Sequence, residues 1–250
     1  MKILVLNPNM SQSMTDGLAA VARRAAAPGT QIVAATARSG FPYISSRAEA
    51  QVAGGIALDM IAEHLSGTAA DIDAVVIAAF GDPGLLAARE LFDIPVVGMA
   101  EAAMLSACML GHRFCFVTFT RHLAPWYEES VAQAGLMGRF AGVRTPAASF
   151  RSVDTVQDEL FDELRSLAEH AVKEDGVDVV VLGGAPLAGL AQRITGAAAV
   201  LVDPITAAIG QAETLVRLSP RGAHAGSFTR PPGKANVGLP PALSAWMARG

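Results

Sequence analysis

Short apolar runs alternate along the chain with longer segments that carry apolar residues at helical spacing. Most of the runs are rich in Val and Ile and end at Gly, Pro or Asn, which is typical of strands buried on both faces of a parallel sheet. This alternation predicts an α/β fold with helices on both faces of the sheet. The predicted strands span residues 2–6, 31–36, 74–78, 96–98, 114–118, 142–148, 177–182 and 199–202. The predicted helices span residues 13–26, 46–66, 83–92, 101–110, 123–134, 155–174 and 204–218.

The strands of the first half recur in the second half in the same order. AVVIAAFGDPG at residues 74–84 parallels VVVLGGAPLAG at residues 179–189, so Ala79 matches Gly184 at an offset of 105 (184 − 79). IPVVGMAEAA and AVLVDPITAA match at the same offset, and KILVLNPN matches RFCFVTFT at an offset of 111 (118 − 7). The repeat predicts two similar lobes about a pseudo-two-fold axis. Positions 79 and 184 would then lie on opposite sides of one cleft, at the strand ends where α/β sheets bind ligands.

We assign residues 1–100 and the returning segment 211–250 to the first lobe, and residues 101–210 to the second. The last part of the chain is rich in Pro and Gly, which indicates a surface tail or an arm for packing and assembly. A short closing helix is expected over residues 242–248. We expect the protein to form a homo-oligomer.

Composition excludes several classes of function. Hydrophobic residues make up 52% of the chain and charged residues 17%, and the net charge is −4 without a long basic run. Nucleic acid and anionic membranes are therefore poor candidate partners. The first apolar run ends at Asn7-Pro8-Asn9, too early for a secretory signal, and no stretch approaches the roughly 20 apolar residues of a membrane span. We expect a cytoplasmic protein.

The two cysteines do not form a recognisable functional motif. Cys108 lies in a predicted helix and Cys115 in a predicted strand, with no CxxC pair and no His/Cys cluster around them. We interpret them as structural thiols and expect no metal site.

Four predicted strand ends gather polar or Gly-rich residues. The amide of Asn9 could bind a carboxylate or imide, although a strand-to-helix turn is the commoner role of such an Asn. The hydroxyl of Thr118 could bind a carboxylate, and a turn explains it equally well. Asp82 is placed as the N-cap of the next helix, with Pro83 in its first turn. The turn at residues 183–189 has no charged side chain and would bind a ligand through main-chain amides.

These motifs together resemble the hydantoin racemase branch of the aspartate/glutamate racemase superfamily. NPN, GFPYISSRAEA, FGDPG, VVGMAEA, VTF and VDPITAA occur in the family's order, and the resemblance covers most of the chain. It implies two pseudo-symmetric Rossmann-like lobes, each with a parallel sheet flanked by helices, and a cleft between them. It also implies a small carboxylate or cyclic amide as substrate, and no cofactor.

The resemblance further implies two cysteines that face each other across the cleft, one to remove a proton and one to return it. Their positions are Ala79 and Gly184 in this chain, and neither residue can carry a proton. Cys108 and Cys115 lie on the wrong elements to replace them. The resemblance therefore implies an isomerase whose two-cysteine mechanism is absent.

Few other groups could replace the thiols. His122 follows the third strand end, and Tyr43 lies in a loop that could close over the cleft. Arg47 could bind a substrate carboxylate, whereas Trp126 and Tyr127 fit the packing face of a helix. The expected substrate-binding residues are Asn9, Tyr43, Ala79, Phe80, Thr118, Phe119, Gly184 and Ala185.

The working hypothesis is a racemase-superfamily enzyme that uses His122, Tyr43 or bound water in place of thiols. A non-catalytic protein that binds a small molecule in the same cleft is the alternative from another class. A lyase or hydrolase on the same scaffold is a third possibility.

Overall fold

The computed structural model describes residues 1–66, 71–218, 221 and 225–249. Eight strands lie at Lys2–Asn7 (β1), Gln31–Thr36 (β2), Ala74–Ile77 (β3), Val96–Gly98 (β4), Phe114–Val117 (β5), Phe140–Arg144 (β6), Val179–Leu182 (β7) and Val200–Val202 (β8). Helices lie at Gln12–Ala25 (α1), Arg47–Ser66 (α2), Leu85–Leu91 (α3), Met99–Leu110 (α4), Ala124–Gln133 (α5), Val156–Glu159 (α6), Phe161–Asp175 (α7), Leu190–Arg193 (α8), Pro204–Leu218 (α9) and Pro241–Met247 (α10).

The strands form two four-stranded sheets of the same topology. Their orders are β2-β1-β3-β4 and β6-β5-β7-β8, and every pairing is parallel. The strands β3, β5 and β7 are buried along their whole length, as expected for strands covered by helices on both faces. The predicted α/β fold with two repeated parallel sheets is confirmed.

The helices α4 and α9 are exchanged between the two sheets. Helix α4 follows the last strand of the first sheet but packs against β7 and β8 of the second, and α9 follows the second sheet but packs against β3 and β4. The two helices also pack against each other. Each sheet is therefore covered by a helix that begins in the other half of the chain.

The proposed lobe boundaries stay a prediction. Helix α10 packs against α2 of the first half, and its bounds lie close to the predicted residues 242–248. Residues 219–220, 222–224 and 250 of the predicted arm lie outside the described residues. No helix in the described ranges is long and apolar enough to cross a membrane.

The short helix α8 was not predicted, several element ends shift by one or two residues, and two elements differ more clearly from their predictions. The strand expected at residues 142–148 lies at Phe140–Arg144 instead, because Pro146 has no amide hydrogen to continue the ladder beyond it. The helix expected at residues 155–174 is divided into α6 and α7 at Leu160, whose φ of −112° and ψ of 13° leave the helical region.

Asp82 has a different role from the predicted one. The N-cap of α3 is Gly84, not Asp82. The Asp82 carboxyl accepts hydrogen bonds from the amides of Ala100, at 2.8 Å, and Glu101, at 2.7 Å, in the first turn of α4. It therefore caps the exchanged helix rather than its own. The Asp82 backbone has a φ of 50°, a left-handed conformation that Asp tolerates better than most residues.

Asp203 makes the corresponding link in the second half of the chain. It precedes α9, and its side chain accepts hydrogen bonds from Thr206 in the first turn of that helix and from Gly189 in the turn after β7. Gly189 matches Gly84 at the repeat offset of 105 (189 − 84). In both halves an aspartate thus joins the strand-end turn to the start of an exchanged helix. Asp82 belongs to the turn, whereas Asp203 belongs to the helix start.

We predict that Asp82→Ala lowers the free energy of unfolding by about 2 kcal/mol, because two amides at the start of α4 lose their acceptor. Hydrogen exchange should show loss of protection at Ala100 and Glu101. Asp16→Ala is the control, since the exposed Asp16 carboxylate accepts only a surface bond from Gln12. Equal stability of the two variants in urea unfolding would contradict the assigned role.

Candidate active site

The carboxyl ends of β3 and β7 face each other through the ring of Phe80. A methyl group placed on Gly183 would lie 3.3 Å from Phe80 Cε1. The Phe80 ring lies 5.2 Å from that of Phe116 and 4.6 Å from that of Tyr127, between ring centroids. Phe80 of the first half is therefore packed into the second half. This contact brings the ends of β3 and β7 together.

Gly184 has a backbone conformation that only glycine adopts readily. Its φ is 120° and its ψ is 135°. A Cβ atom built on it would lie 2.8 Å from Phe119 Cε1 and 3.6 Å from the Tyr127 hydroxyl oxygen. A side chain at this position is thus opposed by both backbone strain and the Phe119 ring.

Ala79 lies at the end of β3, and several main-chain amides near the two strand ends have no partner in the described part of the chain. Ala79 is 7% exposed, and its carbonyl accepts a hydrogen bond from Asp82. Among the described residues, the amides of Phe80, Gly184 and Ala185 donate no hydrogen bond. They are consequently available to bind an anionic oxygen.

Tyr127 belongs to this site, although its sequence context indicated only helix packing. It is 1% exposed, and its hydroxyl lies beside the hydroxyls of Tyr43 and Thr118. The buried Thr118 hydroxyl makes no hydrogen bond of normal geometry within the described residues. A polar tip on a buried helix position was the one signal for Tyr127 in the sequence.

Burial determines the protonation of the two phenols. It raises the pKa of Tyr43 and of Tyr127 well above the ordinary tyrosine value. Both hydroxyls are therefore protonated at neutral pH, which makes them hydrogen-bond donors rather than resting general bases.

The two ends of the Asn9 side-chain amide have different environments. Its Oδ1 accepts hydrogen bonds from Asn7 Nδ2, at 2.8 Å, and from the Ser11 amide, at 2.9 Å, which hold the turn after β1. Its Nδ2 contacts only Met14 Sδ, at 3.3 Å, a weak acceptor. Met14 and Ala185 line a common recess of about 180 Å³. The Asn9 side chain therefore holds the turn through its oxygen, and its amide hydrogens have only the weak Met14 acceptor.

A larger cavity of about 510 Å³ lies at the outer side of Phe119. We call it the mouth cavity, and its lining includes Tyr43, Phe119, His122, Trp126 and Phe150. The Phe119 ring lies 6.2 Å from that of Tyr43 and 5.4 Å from that of Phe150. His122 is exposed there, so the structure places it at the entrance rather than at the strand ends.

Arg47 also lines the mouth cavity but is already paired. Its Nε lies 2.8 Å from Glu129 Oε2 and 3.0 Å from Glu129 Oε1. The predicted binding of a substrate carboxylate by Arg47 would therefore require this pair to break.

The cysteines lie outside the site. Cys115 is buried in β5, where burial raises its pKa to about 12, and Cys108 lies on α4. Within the described ranges, no group of three or more His, Cys, Asp or Glu side chains could hold a metal ion.

Comparison with known proteins adds to this geometry. Residues 3–212 match the family model described as Asp/Glu/Hydantoin racemase. A hydantoin racemase of Paenarthrobacter aurescens is 34% identical over 234 residues, which cover 92% of this chain and 98% of the relative. Allantoin racemase from Klebsiella pneumoniae is 35% identical with a TM-score of 0.90, over 97% of this chain and 98% of that one. Allantoin racemase from Pseudomonas fluorescens is 32% identical with a TM-score of 0.86, over 95% and 100% of the two chains.

We predict that Gly184→Cys lowers the free energy of unfolding by about 1–3 kcal/mol, the cost of a strained backbone conformation. For a chain of this size, thermal denaturation should show a midpoint about 2–4 °C lower for each kcal/mol. Gly210→Cys provides the control, because Gly210 is exposed on α9 with no atom within 4 Å of an added Cβ. Identical midpoints for the two variants would show that the turn accepts a side chain.

We predict that the folded protein shows no phenolate absorbance at 295 nm near pH 10. The chain has two tyrosines, and burial raises the pKa of both. The native state thus retains protons that the unfolded state releases near pH 10, so this contribution to stability is complete below pH 10 and is lost as the pH rises above it. Ionisation of either tyrosine at pH 10 before unfolding would contradict the buried arrangement.

Proposed function

The chain belongs to the Asp/Glu/hydantoin racemase family, and we propose that it acts on a neutral cyclic amide of the hydantoin type by a mechanism without thiols. Membership confirms the resemblance found in the motifs and makes the protein a racemase-family enzyme, an isomerase by class. The choice of substrate, the site residues and the altered mechanism are the proposal.

We choose a neutral substrate because none of the described residues that line the cleft offers an unpaired cationic side chain. The donors are neutral: the phenols of Tyr43 and Tyr127, the Asn9 amide and the free backbone amides. Arg47, which could have bound a carboxylate, is held by Glu129. Neutral donors match the carbonyl groups of a cyclic amide, whereas a carboxylate would lose more hydration than they replace.

The aromatic lining favours a flat ring. Phe119 lies between Tyr43 and Phe150, and Phe80 closes the inner end of the cleft. A planar ring can pack on such faces while its carbonyls reach the polar tips. The names of the similar racemases, for hydantoin and allantoin, agree with this class of substrate.

Racemisation requires removal of a proton from carbon and its return on the opposite face. The negative charge that develops on the neighbouring carbonyl would be stabilised by the amides of Phe80, Gly184 and Ala185. Ala79 and Gly184 cannot transfer protons. His122 would exchange protons through water in the mouth cavity, and Tyr43 would donate a hydrogen bond. We propose that no cofactor takes part.

A binding protein without catalysis is the second candidate, favoured by the lack of a titratable side chain at positions 79 and 184. It would hold the same ligand but would not exchange its proton. A lyase or hydrolase would give a product of different composition.

We predict that the protein racemises single enantiomers of 5-substituted hydantoins or allantoin and incorporates deuterium at the stereogenic carbon in D₂O. Chiral chromatography and mass spectrometry measure both, with a buffer blank for the spontaneous rate. His122→Gln should reduce turnover about 10²-fold, the usual effect of losing a general acid or base. Tight binding without exchange would instead identify a binding protein, and ring opening a hydrolase.

A further inference from the structure

We propose that the Tyr127 hydroxyl is the proton donor on the second-lobe side of the cleft, where position 184 has no side chain. The inference rests on the proposed racemase function and names a catalytic residue for it. No motif in the sequence pointed to Tyr127, which the helix pattern assigned to packing.

The position of the hydroxyl carries the inference. The oxygen lies 3.6 Å from where the Cβ of a side chain at residue 184 would stand, and the ring carbon Cε2 lies 3.5 Å from the corresponding position on Gly183. Because Gly183 and Gly184 have no side chains, the Tyr127 side chain from α5 can approach the end of β7. The phenol occupies the space into which a residue at position 184 would project.

The Tyr127 ring is fixed by its surroundings. It packs on Phe80 at 4.6 Å and on Phe116 at 6.3 Å between ring centroids, and its exposure is 1%. Immobilised rings hold the hydroxyl in one place without loss of side-chain entropy on binding. Phe80 is also the residue next to Ala79 in the chain. Its ring therefore joins the end of β3 to Tyr127 on α5.

The proposed step removes one proton from the substrate and returns another. A base reached through water, with His122 as its candidate, takes the proton from the first-lobe face of the substrate. The carbanion then takes the Tyr127 proton on the opposite face, where a C–H bond forms as the O–H bond breaks. The phenolate regains a proton from water by way of the neighbouring Tyr43, and the protonated base releases its proton to water, which returns the site to its starting state. One proton has left the substrate and one has been returned, with inversion.

Burial supports this direction of transfer. Because the pKa of Tyr127 is raised, the phenol is fully protonated before reaction. The nearby Thr118 hydroxyl, which lacks a normal hydrogen bond, is placed to stabilise the phenolate transiently.

The test compares Tyr127→Phe with Tyr43→Phe, each of which removes one hydroxyl and keeps the ring. Tyr127→Phe should reduce kcat for racemisation about 10²-fold with little change in KM. One enantiomer should still exchange its proton with D₂O while retaining its configuration, because the opposite face is intact. Tyr43→Phe should reduce turnover less and leave both enantiomers equally able to exchange.

Full turnover by Tyr127→Phe, or equal loss of exchange from both enantiomers, would overturn the inference, since a structural role affects both faces alike. A wild-type protein that neither racemises nor exchanges would overturn the proposed function itself. NMR of ¹³Cζ-labelled tyrosine in Tyr43→Phe, where Tyr127 is the remaining tyrosine, gives a measurement independent of the Phe variant's folding. Its resonance should shift on addition of a hydantoin, and an unchanged resonance with bound ligand would also reject the contact.

Discussion

The hydrogen bonds of two aspartates connect the strand-end turns to the exchanged helices, and the shape of the cleft depends on them. Asp82 fixes the turn after β3 to α4, which covers the second sheet, and Asp203 fixes the turn after β7 to α9, which covers the first. Each strand-end turn of the candidate site is thereby attached to a helix that covers the opposite sheet. Short, directional bonds at the ends of long helices define the site more closely than the packing of the sheets alone.

This linkage explains why the two halves are symmetric in architecture but not in residues. The topology requires only that a turn and a helix start be joined, and either partner can supply the carboxyl. The aspartate comes from the turn in the first half and from the helix start in the second. The two halves of the chain are therefore similar in sequence at their strands, whereas the aspartates that cap the helices occupy different positions in the two halves.

Much of the fold could be predicted because it depends on local patterns. Val-rich runs identified the strands, and the repeat predicted the paired sheets. The same patterns could not show that Asp82 caps a helix 18 residues later, or that Arg47 pairs with Glu129 across 82 residues of sequence. Tyr127 was missed for the same reason, since its role depends on glycines on a different element. At the site, only residues directly at strand ends could be anticipated.

The turn at Gly184 restricts which residues position 184 can accept by a single substitution. With the backbone at a φ of 120° and the Phe119 ring beside it, the order in which changes can accumulate is constrained. A side chain could be accommodated there only if the turn or the Phe119 ring rearranged. The effect of a substitution at residue 184 would thus depend on the main-chain conformation and on Phe119 together, so it would be epistatic with changes in either.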